Sequence, residues 1–217
     1  MLTPSDLRRP LPSGWLLYVG VDTGTYTSVV FVLFPPEIPD AFVVYEQPNY
    51  RYVGGEIELL GESTPEWAQR VMTEFRRYLP QKTRLKGWCD ENSQFKEELK
   101  HYGLHLRGNK RKLELRVEIA REYVQHHRVW LAPWLAVLPW EMEHAVWPDD
   151  TNSAGRFERL KESDHTLDCL EHILSRRPRH KRLVEKPPPG FVERELAAAK
   201  SWRELLGPAG DPHLGIR

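Results

Sequence analysis

Trp15-Leu16-Leu17-Tyr18-Val19-Gly20-Val21-Asp22-Thr23-Gly24-Thr25 is an apolar, β-rich run that ends on an acid and a turn, and it sets the reading of everything around it. A second apolar run, Ser28 to Phe34, follows after that turn, and a third, Ala41 to Glu46, comes after the breakers Pro35-Pro36 and Pro39-Asp40. Runs rich in Val, Phe and Tyr, bounded by Gly, Pro and Asp, are strands. Residues 15–46 therefore predict a three-strand antiparallel meander. Asn49 to Gly61, with Gly54-Gly55 at its middle, predicts a hairpin or flap.

Beyond residue 61 the period changes. Ser63-Thr64-Pro65-Glu66 opens a helix with a capping hydroxyl, a proline in the first turn and an acid three residues on. Trp67, Val71, Phe75 and Tyr78 form its buried stripe, and Pro80 stops it. Leu85 to Asp90 reads as a short internal strand and Phe95 to Tyr102 as a helix ended by Gly103. Leu113, Val117, Ala120 and Val124 place a helix over Lys110 to His126. Arg128 to Leu131 is a strand, Trp134 to Trp147 a Trp-rich helix interrupted by Pro139, and Ser163 to Leu174 the last core helix. Strands alternating with helices make this an α/β chain, a mixed central sheet flanked by helices. Its organisation divides into an arm over residues 1–14, one domain over 15–176, and a basic, proline-rich tail over 177–217 with a C-terminal helix from Glu193 to Leu206.

Composition excludes several classes. The chain has 217 residues, and its 31 basic side chains balance its 31 acidic ones, so no global field draws it to nucleic acid or to an anionic membrane. Any such attraction has to be local. The two cysteines, Cys89 and Cys169, sit in apolar stretches, which argues for buried thiols and against a disulfide framework or zinc cluster. No apolar run reaches the length of a membrane span, and residues 1–6 lack a signal-peptide layout, so the expected location is cytoplasmic.

Three acidic stations carry the chemistry: Asp22 at the end of the first strand, Asp90 at the end of the internal strand, and Asp164 with Asp168 at the start of the last helix. Carboxylates brought together from strand ends and a helix make a hard-oxygen cage for Mg²⁺ or Mn²⁺, which suits phosphodiester hydrolysis. Asp164, His165 and Asp168 are spaced to look out from one side of the helix start. Ordinary structural roles stand beside each station. Asp22-Thr23-Gly24 is also a good turn, Asp90 can cap the next helix although Asn92 or Ser93 suits that role better, and Asp164 with Asp168 can form a solvated first turn that favours the helix dipole. Arg107, Lys110, Arg111 and Lys112, entering a helix, are candidates to clamp DNA phosphates, as is the stretch from Arg176 to Arg182.

These segments resemble the nuclease domain of the large terminases, the DNA-packaging motors of tailed bacteriophages. The resemblance runs from about Trp15 to Ser175. It lies in Val21-Asp22-Thr23-Gly24-Thr25, the Ser63-Thr64-Pro65-Glu66-Trp67-Ala68 helix start, Asp90, the Gly103-Leu104 and Gly108-Asn109-Lys110 turns, and Ser163-Asp164-His165-Thr166-Leu167-Asp168-Cys169-Leu170. The last is the most specific, similar to the family's Asp-His-x-x-Asp-Ala-Leu segment with Cys169 in the alanine place. It implies a ribonuclease-H-like fold, and a divalent-metal endonuclease that cuts double-stranded DNA with little sequence preference in the cytoplasm of an infected cell. It implies Asp22, Asp90 and Asp168 as principal ligands of two Mg²⁺ or Mn²⁺ ions, with Asp164 and His165 supporting them. The implied partners are duplex DNA, the packaging ATPase domain, the small terminase and the portal protein, with no membrane.

One feature departs from that family. The Gly-x-x-x-x-Gly-Lys-Ser/Thr phosphate loop of the terminase ATPase does not occur here, so the expectation is an isolated, monomeric nuclease domain that cannot translocate DNA alone. Competing readings are a Holliday-junction-type resolvase, one lobe of an actin-like phosphotransferase or ATPase, and a non-catalytic docking module. The last would use surface tryptophans, although Trp134, Trp140 and Trp147 also suit a core.

Overall fold

The three apolar runs pair in sequence order: β1 (Leu16–Asp22) lies antiparallel to β2 (Ser28–Phe34), and β2 antiparallel to β3 (Ala41–Glu46). The computed structural model describes residues 10–11, 14–36, 39–90, 95–145 and 164–176. The arm's first residues, the tail, Trp147 and Ser163 lie outside these. A separate hairpin, β4 (Tyr50–Val53) with β5 (Glu56–Leu59), turns on Gly54 and Gly55, both at positive φ. Next come α1 (Thr64–Tyr78), β6 (Leu85–Asp90), α2 (Phe95–His101), β7 (Leu104–Asn109), α3 (Leu113–Gln125), β8 (Val129–Leu131), α4 (Val137–His144) and α5 (His165–Leu174). The main sheet has six strands in the order β7-β6-β1-β2-β3-β8. β6 pairs parallel with β1 and with β7, and β8 parallel with β3, so the sheet is mixed.

Alternation along β1 divides its side chains between two faces. Val19, opposite Phe31 in the register, faces α1, where Phe31 meets Tyr78 edge to face. Trp67, Val71, Phe75 and Tyr78 are all buried there, as the stripe predicts. At the entry of α1 the Glu66 carboxylate accepts the Ser63 N–H at 3.0 Å and its hydroxyl at 2.6 Å. Tyr18, Gly20 and Asp22 belong to the other face. There α3, α4 and α5 enclose a core of Val30, Val32, Phe34, Val43, Leu138, Leu170 and Ile173.

The structure corrects four of the sequence expectations. Leu104–Asn109 is a strand, not two turns joined by a short link: Leu104 and Leu106 are buried while Arg107 is exposed. The following helix starts at Leu113, so Lys110, Arg111 and Lys112 form the turn before it, and Val124 is 43% exposed and drops out of the stripe. α4 is shorter than expected, and Pro139 does not interrupt it. Pro139 sits in the first turn, where a missing N–H costs nothing. The neighbouring N–H groups of Ala136, Val137 and Leu138 donate to the Glu46 carboxylate, at 2.5, 2.8 and 2.7 Å. Finally, α5 begins at His165 with Asp164 as its N-cap, and the burial of Asp164 and Asp168 goes against the alternative of a solvated first turn.

Candidate active site

Gly20 seats the helix that carries Asp164, His165 and Asp168. A β-carbon added there would lie 2.1 Å from the Cys169 carbonyl oxygen, so α5 rests directly on the backbone of β1. That close approach fixes α5 in rotation. The Asp22 N–H donates to Cys169 Sγ at 3.0 Å, and His165 Nδ1 lies 2.8 Å from Asp22 Oδ2. Burial alone would push the His165 pKa down, but the hydrogen bond to Asp22 and the charges of Asp22, Asp164 and Glu141 outweigh it and raise it. His165 therefore holds its proton more firmly than a free imidazole, as the donor to Asp22.

Asp90 lies beside Asp22. The parallel register sets Gly20 against Trp88, so two residues further along each strand the two aspartates end neighbouring strands on the face that α5 covers. Arg116, only 6% exposed, holds Nη1 at 3.4 Å from Asp90 Oδ1. His172, fully buried, brings Nε2 to 3.4 Å from the same oxygen. Burial, with Arg116 and Arg176 nearby, pushes the His172 pKa down to about 3, so the ring is neutral. Asn109 Nδ2 lies 3.2 Å from His172 Nδ1.

Asp168 lies in the same helix. It is 7% exposed, one residue before Cys169, whose buried thiol is raised by burial and by the charges of Asp22 and Asp168. Asp164 is 4% exposed, and its carbonyl accepts the Asp168 N–H at 2.8 Å. Among the described residues no three His, Cys, Asp or Glu side chains stand ready to ligate one ion. The donor set nevertheless fits a hard divalent cation: all-oxygen carboxylates from two strand ends and one helix, with the thiols of Cys89 and Cys169 held protonated by burial. Asp22 and Asp90 each have one oxygen facing a nitrogen donor, His165 and Arg116 respectively.

Glu141 is a site residue that sequence reasoning missed. It is 1% exposed, and it accepts the Leu167 N–H at 2.8 Å, capping α5 from α4. The hydroxyls of Tyr50 and Tyr52 donate to it at 2.6 and 2.9 Å, and Tyr50 also meets Thr166, which meets Ser28. The hairpin, α4, α5 and β2 are thus tied at one buried knot beneath His165. Burial raises the Glu141 pKa to about 7. A raised carboxyl binds its proton in the folded state after the unfolded chain has released it, so its contribution falls as pH rises from about 4.5 to about 7 and is then lost, up to about 3 kcal/mol. Glu141→Gln mimics the protonated form. Urea melts across pH 5 to 8 should show the wild type losing stability relative to Glu141→Gln, and parallel curves would remove this role.

The basic candidates divide. Arg107 is exposed on β7, opposite Trp88 in the register, on the same sheet face as Asp90. Lys110 and Lys112 are exposed in the turn, Arg111 is half-buried, and the Arg111 N–H donates to Asn109 Oδ1 at 3.2 Å. Of the Arg176 to Arg182 stretch, only Arg176 is among the described residues.

A scan against protein-family models finds no match, and neither does a search of curated proteins. Solved structures do match. The nuclease domain of the large terminase g2p from bacteriophage SPP1, with bound Mn, superposes with a TM-score of 0.56 at 14% identity, over 81% of this chain and 92% of that one. The large terminase nuclease from thermophilic phage G20c, with bound magnesium, gives 0.51 at 11% identity, over 81% and 96%. The large terminase of the thermophilic bacteriophage D6E gives 0.56 at 16% identity over 76% of this chain, which spans only 40% of that protein. This chain has the large-terminase nuclease fold.

That fold is ribonuclease-H-like, as the sequence resemblance implies, with the antiparallel meander followed by parallel strands on both edges. On this terminase-nuclease frame Asp22, Asp90 and α5 occupy one face, and the Glu141 knot lies under the start of α5. No helix among the described residues is long and apolar enough to cross a membrane.

Proposed function

We propose that this chain is a divalent-metal-dependent endonuclease that cuts double-stranded DNA with little sequence preference during viral genome packaging. One observation supports the reading: Asp22 and Asp90 end adjacent parallel strands, and α5 brings His165 to Asp22 on that same face. Asp22, Asp90 and Asp168 are the proposed ligands of two Mg²⁺ or Mn²⁺ ions, with Asp164 completing the set. The SPP1 and G20c domains of like fold hold Mn and magnesium, which supports the choice of ion. When bound, such ions activate a water and stabilise the leaving oxygen of an in-line displacement at phosphorus.

The remaining work belongs to the chain. Asp22 and Asp90 keep their carboxylates anchored through His165 and Arg116, which limits the rotamers they lose on loading. His165 orients Asp22 and holds a proton beside the reacting face. Arg107, Lys110, Arg111 and Lys112 grip phosphates, which carry no sequence information, in keeping with cutting at many sequences. A packaging ATPase domain, a small terminase and a portal protein are the proposed partners in the whole motor.

The test is nicking of a supercoiled plasmid with Mn²⁺, Mg²⁺ or chelator. Cutting with either ion and none with chelator is expected; cutting that survives chelation refutes the reading. Charge reversal of Lys110 and Arg111 together should weaken DNA binding and make log K fall less steeply with log salt, by about 2 in slope. An unchanged salt slope takes this turn out of the interface.

A further inference from the structure

We infer that Arg116 is a positioning residue for Asp90, an inference that rests on the nuclease reading above. Taking a guanidinium out of water is unfavourable unless its donors and charge are met. Arg116 is 94% removed from solvent, yet its Nε is buried with no acceptor among the described residues. The side chain is not placed to satisfy itself. It spends its reach on Nη1, which lies 3.4 Å from Asp90 Oδ1 and against both ring nitrogens of His172, at 2.6 and 2.8 Å.

The backing is rigid. His172 is fully buried, and Asn109 Nδ2 lies 3.2 Å from its Nδ1 and donates to Ser175 Oγ at 3.0 Å. Asn109 also accepts the Arg111 N–H, so the basic turn is latched to the same cluster. The partner of all this order is open to solvent: the Asp90 side chain is 52% exposed. An exposed aspartate samples several rotamers unless something holds it. Arg116 supplies that hold from the buried side and leaves Oδ2 for a cation.

The same guanidinium has a second effect of opposite sign. A positive charge beside Asp90 repels an arriving dication. Removing it should therefore strengthen cation capture while weakening the chemistry that follows. A residue that merely supported the fold would lower both.

The experiment uses the full chain and Mn²⁺. Free Mn²⁺ is titrated by electron paramagnetic resonance without DNA, and plasmid nicking is timed at saturating Mn²⁺. Arg116→Met should bind Mn²⁺ about threefold tighter or more and nick at least about tenfold slower. Arg116→Lys should recover part of the rate with wild-type affinity. In an Asp90→Asn background Arg116→Met should leave Mn²⁺ binding unchanged. If Arg116→Met melts early, Arg116→Gln replaces it in the same comparison. Weaker or unchanged Mn²⁺ binding in both neutral variants, or a wild-type nicking rate, overturns the role of Arg116 alone. A wild type that binds no Mn²⁺ overturns this role together with the nuclease reading.

Discussion

Asp22→Asn should lose Mn²⁺-dependent plasmid nicking by about a thousandfold, on the order of 4 kcal/mol of barrier, because a divalent site supplies several kcal/mol of charge stabilisation in phosphoryl chemistry. Asparagine is the informative replacement. Its amide oxygen still accepts from His165, so the 2.8 Å contact that ties β1 to α5 is kept while the charge is removed. The folded protein should therefore melt at the wild-type temperature or above it in chelator. Added Mn²⁺ at a hundred times its Kd should stabilise the wild type by about 2.7 kcal/mol and the variant far less. Nicking at the wild-type rate by Asp22→Asn would remove the carboxylate from the reaction and with it the proposed centre.

Gly20→Ala should fail in the opposite manner, through the fold. Its β-carbon would sit 2.1 Å from the Cys169 carbonyl oxygen and 2.8 Å from the carbonyl carbon, both backbone atoms of a helix that cannot rotate away. Overpacking a core usually costs 1–3 kcal/mol, and here relief requires lifting α5 from the sheet, so a loss of about 3 kcal/mol or more is expected. In a chain of this size that lowers Tm by roughly 6 to 12 °C. Because α5 brings His165 to Asp22, nicking should fall in parallel with stability, whereas Asp22→Asn separates the two. A Gly20→Ala protein with wild-type Tm would show that α5 does not sit where the structure puts it.

The strands of the meander and the stripe of α1 were legible because burial imprints a local period on them. Asp22 and Asp90 were legible as strand-terminal acids for the same reason. Gly20 was not, because its role depends on a helix far along the chain. β7 escaped because glycines at 103 and 108 bracket a pattern only four residues long, which reads equally well as two turns. Glu141 lies in an eight-residue helix with no period to single it out. Its importance appears only when Tyr50, Tyr52 and the Leu167 amide converge on it from other elements. Arg116 was hidden beside the apolar stripe of α3, where a basic residue ordinarily points to solvent.

The contact between His165 and Asp22 spans 143 positions of sequence. A chain leaving the ribosome thus exposes the whole meander and the strand bearing Asp90 well before α5 has been made. Until then Gly20 offers an empty saddle, and Asp22 lacks its histidine partner. On the proposed nuclease reading, competence to cut would arise only once α5 has emerged, an ordering set by topology.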